Sequence, residues 1–191
     1  DKWMLSDGKP FQITVNAPAN FEVESGRLAF AVVDSWKKFG IDAVVQQMDS
    51  ATFGESEATG AFQAGSYWPS CGLLPDTTAN MYGWHEKYVV PDGQRAPSNA
   101  ARWKNDTVSR LLDELSGMKS DDPQIVPKIT QVNQEFVKEL PFLPMFGTSK
   151  FVPVNTYYWS GFQTSDNPFE GPWWWWSQFK FYTPHLKPTG K

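Results

Sequence analysis

Apolar and polar positions alternate in two rhythms along the first seventy residues. Phe11 to Asn16, "FQITVN", alternates with period two and is β-branched, which predicts a strand with Ile13 and Val15 on one face. Pro18 marks its end. From about Glu22 to Phe39 the period changes to three and four, with Leu28, Ala31, Val32, Ser35, Trp36 and Phe39 on one stripe. That spacing predicts a helix, and Gly40 follows where a left-handed C′ residue belongs. "IDAVVQQMD", Ile41 to Asp49, reads as the next strand. Asp49 or Ser50 then caps a short helix containing Phe53, and "AFQAGSYW", Ala61 to Trp68, reads as a third strand. Strand, helix, strand, short helix and strand predict an α/β layer with right-handed crossovers between parallel neighbours.

The rhythm stops from Pro69 to Ala101, a stretch punctuated by Pro69, Gly72, Pro75, Gly83, Pro91, Gly93 and Pro97. A long irregular loop inside a compact domain usually carries function. Helical spacing returns after Asn105 or Asp106, either of which can cap a helix to about Lys119 with Val108, Leu111, Leu112 and Leu115 inward. "SDDPQ" predicts another, capped by Asp122 with Pro123 in the first helical position. Its apolar stripe is Ile125, Ile129, Val132, Phe136, Val137 and Leu140. "LPFLPMFG" breaks it, and "KFVPVNT" reads as strand-like. The stretch 161–191 is an extended, aromatic-rich tail containing four consecutive tryptophans, Trp173, Trp174, Trp175 and Trp176. The 191 residues suit a single domain, long enough to bury a core without disulfides.

Composition sharpens this picture. Aromatics make up 16% of the chain, with ten Trp, while charged residues are only 20% and the net charge is −4. That balance argues against nucleic acid or an anionic membrane as the main partner, since both call for clustered Lys and Arg. No apolar run reaches 18 residues, so no membrane-spanning helix is expected. The first residues show no charged segment followed by an apolar one, so a signal peptide is not expected within this chain. "SDGKP" reads as a turn entering a strand, as in a chain cut from something longer.

Signatures of chemistry are sparse. His85 and His185 are the two histidines, and neither has metal-ligand spacing, so no metal and no cofactor is expected. His85 beside Glu86 reads as a solvated loop pair. Cys71 is the single cysteine and reads as a small buried thiol. Nucleophile-elbow and phosphate-cradling motifs are missing. Glu55, Glu57, Glu86 and Glu170 are the candidate carboxylates for a glycosidase, and each reads first as surface charge.

The rings offer more. An indole face stacks on the apolar C–H patch of a sugar, and its N–H bonds a hydroxyl. Polar groups flank several rings: Ser66 and Ser70 around Tyr67-Trp68, Asn99 before Arg102-Trp103, Asn155 before Tyr157-Tyr158-Trp159, with Asp76 and Asn80 in the long loop. Trp36 reads as core. Trp68 stands where a strand enters a long loop, the place where α/β folds hold ligands. In an extended run, Trp173 and Trp175 would face one way and Trp174 and Trp176 the other. The candidate ligand-binding set is therefore Ser66, Tyr67, Trp68, Asp76, Asn99, Trp103 and Trp173 to Trp176.

In order, "LSDGKPFQITVNAP", "LAFAVVDSWKKFGIDAVVQQMDSATF", "GAFQAGSYW", "NAARWKNDTVSRLLDEL" and "VNQEFVKELPFLPMF" resemble the C-terminal lobe of the family-five extracellular solute-binding proteins of ABC transporters. The resemblance spans nearly the whole chain, and the Trp-rich tail looks like the branch that carries cello- and manno-oligosaccharides. It implies one lobe of a periplasmic-binding-protein-like fold, a mixed β-sheet flanked by helices. It further implies a missing N-terminal lobe closing across a hinge, a permease as partner, a periplasmic or extracellular location and no enzymatic activity. Gly65 to Trp68 would end at the cleft, with Asn99 nearby. One departure is "G-A-F-Q" at Gly60 to Gln63, where the family has "G-D-F-D". Oligopeptide binding and glycoside hydrolysis are the competing readings. An isolated lobe would bind weakly and self-associate through its uncovered cleft and tail.

Overall fold

The computed structural model describes residues 2–19, 23–67, 77–145, 153–167, 169 and 179–191. The chain divides into two compact units: Asp1–Cys71 with Thr78–Phe142, and Gly72–Thr77 with Leu143–Lys191.

Unit 1 opens on strand β1 (Gln12–Pro18), followed by helix α1 (Val23–Lys38), strand β2 (Asp42–Met48), helix α2 (Ser50–Thr59) and strand β3 (Ala64–Gly65). The three strands form a wholly parallel sheet in the order β2-β1-β3. Alternation along β1 sends Val15 and Ala17 toward α1, where they pack with Ala29, Val33, Ala43 and Ala64, while Asn16 faces α2 and bonds Ser56 Oγ at 3.3 Å. The two helices thus cover opposite faces, as right-handed crossovers to either side of a central strand require.

Helix α1 buries a different face from the one its sequence predicts. Ser25, Gly26, Ala29 and Val33 are inward, with Leu28, Val32 and Trp36 half-buried, whereas Ala31, Ser35 and Phe39 are exposed. Both stripes satisfy a three-four spacing. The small-residue face wins because it lets the helix axis approach the sheet closely. Phe39 lies under the Trp3 ring at 5.4 Å instead, with Trp3 Nε1 donating to its carbonyl at 3.0 Å. Trp36 does pack against the β1–α1–β2 core.

Helix α2 is capped by Asp49, whose carboxylate accepts from Ala51 N, Thr52 N and Thr52 Oγ1. These bonds, the Thr52 hydroxyl first, hold the carboxyl below its usual range. The predicted strand from Ala61 to Trp68 contracts to Ala64–Gly65. Residues 61–63 are spent leaving α2 through Gly60, which ends the helix at φ 78°. Gln63 offsets the shortening: its Oε1 accepts from Thr14 N at 2.7 Å, one ladder step before β3 begins. An amide oxygen does this as well as a carboxylate, so the departure from "G-D-F-D" keeps an acceptor there.

The second half of unit 1 is helical. Helix α3 (Thr77–Tyr82) and a single 3₁₀ turn, Glu86–Tyr88, interrupt the predicted long loop. Helix α4 (Asp106–Ser116) has Asn105 as cap, accepting from Val108 N at 2.9 Å. Helix α5 (Ile125–Glu139) starts two residues later than predicted. A start at Pro123 would put Pro127 where a helical N–H is required and its ring would strike the carbonyl of Pro123; a start at Ile125 puts Pro127 within the first turn, where no bond is lost. Asp122 accepts from Gln124 N just ahead of the helix.

Val108, Leu111, Leu112, Leu115, Val132 and Phe136 form the core here, with Trp84, Trp103, Ile125, Ile129 and Phe142 against it. Val137 and Leu140, predicted inward, are exposed, Val137 at 73%. Val137 lies one residue round from the buried Phe136, and Leu140 adopts φ 50°, which turns it out of the helix.

Unit 2 contains a two-stranded antiparallel ribbon of β4 (Trp159–Ser160) and β5 (Lys187–Pro188), helix α6 (Phe179–Tyr182) and a 3₁₀ turn at Thr183–His185. Its centre is aromatic: Phe169 stacks on His185 at 4.0 Å and on Tyr182 at 5.8 Å, with Phe162 alongside. Within the segment "KFVPVNT", which reads as strand-like, residues 153–155 are irregular.

Candidate functional site

In a parallel sheet all strand carboxyl ends share one edge, and the crevice between strands whose connections leave in opposite directions is where such folds hold ligands. Here the carboxyl edge lies past Pro18 of β1, Met48 of β2 and Gly65 of β3, where Ala19 N donates to Met48 O at 2.7 Å and Ser66 N donates to Asn16 O at 2.8 Å. On the α1 face, buried Ser66 Oγ donates to Ser25 O at 2.7 Å. That bond leaves the hydroxyl's lone pairs as acceptors. On the α2 face Tyr67 keeps 36% of its surface exposed, its ring resting on Phe53 at 5.2 Å.

Glu57 belongs to this face. Gly65 has no side chain, and the Glu57 carboxyl fills the space: a Cβ there would sit 3.2 Å from Oε1, with the Phe53 and Phe62 rings next nearest. Burial pushes the Glu57 carboxyl up to about 7. Its sequence context reads as surface charge; packing beside two rings makes it a partly desolvated acid instead. Glu55 by contrast pairs with Arg95. Glu170 lies outside the described residues.

The "N-x-x-R-W-x-N" motif folds as a knot. Asn99 is buried at φ 51°, and its amide donates to Trp84 O at 3.2 Å and Trp103 O at 2.8 Å while accepting from Trp103 N at 3.1 Å. Arg102, at φ 54°, spreads its guanidinium to Ala100 O, Ala58 O and Gln94 O at 2.8, 3.1 and 3.0 Å. Asp92 Oδ1 lies 3.1 Å from its Nε, as an ion pair out of hydrogen-bond alignment. The guanidinium lies across Gly60, where any Cβ would collide with it at 2.5 Å. A cation at the carboxyl end of α2 also complements that helix's dipole. Trp103 packs on Phe136 at 4.9 Å and donates Nε1 to Glu139 Oε2 at 2.6 Å. Asn99 and Trp103 thus have their polar atoms engaged within unit 1, whereas Ser66 and Tyr67 follow one another past the end of β3 on opposite faces of the sheet.

Trp68, Asp76 and Trp173 to Trp176 lie outside the described residues, as does Cys71. His85, expected in solvent, is buried. Its Nδ1 accepts from Lys87 N at 3.0 Å as the cap of the 3₁₀ turn, and Nε2 faces Asp113 Oδ1 at 3.2 Å. The cap role pulls the ring inward, a signal visible only once the turn is known. Among the described residues no group of three or more His, Cys, Asp and Glu could hold a metal, and no helix is long and apolar enough to cross a membrane.

No protein-family model matches the chain. No curated protein matches it. Solved structures do. Two are of a periplasmic oligopeptide-binding protein of an oligopeptide ABC transporter from Thermotoga maritima. One superposes with a TM-score of 0.80 at 20% identity, covering 97% of this chain and 35% of that one. The other, with mannohexaose bound, gives 0.79 at 20%, covering 98% and 35%. The oligopeptide-binding protein AppA from Bacillus subtilis, in complex with a nonapeptide, gives 0.56 at 22%, covering 71% and 25%. The periplasmic binding protein DppA from Helicobacter pylori, in complex with a peptide, gives 0.57 at 17%, covering 70% and 25%. The chain therefore spans about a third of the length of the first of these structures. At such identities the likeness shows the fold: an α/β lobe of the periplasmic-binding-protein kind, a parallel sheet flanked by helices.

Proposed function

We propose that this chain is one lobe of an exported solute-binding protein that delivers its ligand to an ABC permease, and that the ligand is an oligosaccharide of β-linked hexoses. The lobe binds and does no chemistry. Its place is the periplasm or the outer surface of the cell envelope, its partners a second lobe and the permease. Ser66 and Tyr67 are the described residues proposed to contact ligand at the sheet edge; Trp68, Asp76 and Trp173 to Trp176 are further candidate contacts.

One observation carries the choice of ligand. The mannohexaose-bound structure matches 98% of this chain, whereas the two peptide-bound structures match 71% and 70%. Unit 1 accounts for roughly seven-tenths of the chain, so the sugar-bound relative accommodates unit 2 as well. The local chemistry agrees: the partly exposed Tyr67 ring offers a face on which a sugar can stack. The acidic Asp49 at this edge is committed to α2's first turn, not held ready for an ammonium.

Oligopeptide capture is the second reading, favoured by the names of the matched proteins and by the peptides bound in two of them. Calorimetric titration of the chain with mannohexaose, a cello-oligosaccharide and a tripeptide separates the two. The sugar is expected to bind at about millimolar strength, roughly 4 kcal/mol, because one lobe supplies part of the contacts. Heat from the tripeptide alone would establish the second reading. Turnover of a chromogenic glycoside would overturn both in favour of a glycosidase.

A further inference from the structure

Glu57 follows Phe53 by four residues on α2, so the two side chains share the face that meets the sheet. A long helical side chain leans toward the amino end of its helix. In a parallel α/β layer that end lies at the carboxyl edge of the strands. The Glu57 carboxyl accordingly reaches Gly65, the last residue of β3: a Cβ there would stand 3.2 Å from Oε1 and 3.8 Å from Phe53 Cζ. Ser66 turns to the α1 face, and Tyr67 returns to the α2 face with its ring 5.2 Å from that of the same Phe53. Carboxyl and phenol ring thus border one phenylalanine, and the two residues of extended chain between Gly65 and Tyr67 span roughly 7 Å.

The groups around Glu57 are satisfied without it. Asn16 Nδ2 donates to Ser56 Oγ at 3.3 Å, and Ser56 Oγ donates to Phe53 O at 3.0 Å. On α2, Asp49 accepts from the first turn and Glu55 pairs with Arg95. Beyond the helix, Arg102 binds Ala58 O, Gln94 O and Ala100 O beside Asp92. Strands β1 and β3 carry no charged residue, and Tyr67 is the titratable group that the end of β3 brings to this face. Among the described residues Glu57 has no hydrogen-bond or ion-pair partner, and burial alone raises its carboxyl to about 7. A half-buried carboxyl without a partner costs folding free energy, and such groups collect where a ligand supplies the missing bond.

We infer that Glu57 is a specificity-determining residue of this edge, its carboxyl bonding the hydroxyls of the neutral hexose unit whose C–H face lies on Tyr67. This rests on the oligosaccharide reading and extends its contacts along the α2 face to the end of β3. A hydroxyl both donates and accepts, so it satisfies the acid and the carboxylate alike. Both forms of Glu57 are present near neutrality. A neutral sugar therefore keeps its bond from about pH 6 to about pH 8, whereas an ammonium only donates, requires the carboxylate and would bind more tightly as pH rises through that range.

Amide-shift titration of the full chain with mannohexaose, read at Tyr67, tests it. Glu57→Met keeps the length of the side chain and removes both oxygens; it should weaken binding about tenfold. Glu57→Gln, which still donates and accepts, should stay within about threefold of wild type. Wild-type affinity should change by no more than about threefold between about pH 6 and about pH 8. Urea unfolding identifies any variant that has lost its fold. The carbon-13 signal of the Glu57 carboxyl in the wild-type chain needs no variant: it should move as sugar is added, while that of Glu114, paired with Arg110 and Lys128, stays. Binding by Glu57→Met equal to wild type, or an unmoved Glu57 carboxyl while Tyr67 shifts, overturns the assignment and leaves the oligosaccharide reading standing. Wild-type shifts with a tripeptide and none with the sugar sink that reading and the hydroxyl partner together. A tripeptide affinity that then climbs with pH and is lost in Glu57→Met identifies an ammonium as what the carboxyl holds. Silence toward both probes overturns both.

Discussion

Arg102 shows how one side chain fixes a loop whose sequence offers no regular element. A left-handed φ costs a non-glycine residue roughly 1 kcal/mol or more, and three carbonyl bonds from a partly buried guanidinium offset it. A lysine ammonium cannot span three carbonyls in one plane. Arg102→Lys should therefore lower stability by about 1.5–3 kcal/mol, read as a fall in the urea midpoint at constant slope. Glu57 makes a prediction of opposite character. Its folded carboxyl titrates near 7 against an ordinary value of 4.5, so between those values the folded state keeps a proton that the unfolded chain has lost. Stability from this group is complete below pH 4.5, falls as pH rises, and levels above 7. Glu57→Gln should be more stable than wild type at pH 8 by on the order of 1–2 kcal/mol, allowing for partial solvent screening, and show little advantage at about pH 4.5. A gap that stays constant with pH would refute the burial account.

At the scale of elements, local rules reach far. Period-two and three-four spacing places β1, α1, β2, α2, α4 and α5, and the caps Asp49 and Asn105 are the residues their position implies. The differences have physical sources. The α1 pattern admits two stripes, and only close approach to the sheet selects Ala29 and Val33 over Ala31 and Phe39. Consequently Ala29→Leu should overpack that contact and cost about 1–3 kcal/mol, while Phe39→Ala, with its ring mostly in solvent, should cost well under that; thermal denaturation compares them. Truncating the interhelical core with Leu112→Ala should cost about 2–5 kcal/mol. The short β3 and the 3₁₀ turn at Glu86–Tyr88 are invisible to pattern because tertiary partners decide them: Gln63 finishing a ladder, His85 drawn in by Lys87 N and Asp113.

For the whole molecule, the α/β lobe is readable from residue order, and its likeness to periplasmic binding proteins follows from the same segments. The surroundings of the candidate residues are readable in part. Ser66 and Tyr67 stand at the carboxyl edge because a strand end is fixed by local pattern, whereas Asn99 and Trp103 are consumed by a knot whose bonds no spacing rule reveals. Sequence marks Tyr157 to Trp159 as rings beside Asn155, and only the ribbon shows that they are held outward. Backbone amide shifts of the chain titrated with mannohexaose test the central claim most directly. Shifts concentrated at Ala17, Ser66 and Tyr67, with Gln12 and Asp42 at the opposite edge unmoved, are the predicted result. Saturable shifts confined to that opposite edge, or none at the carboxyl edge while the sugar binds, would contradict it.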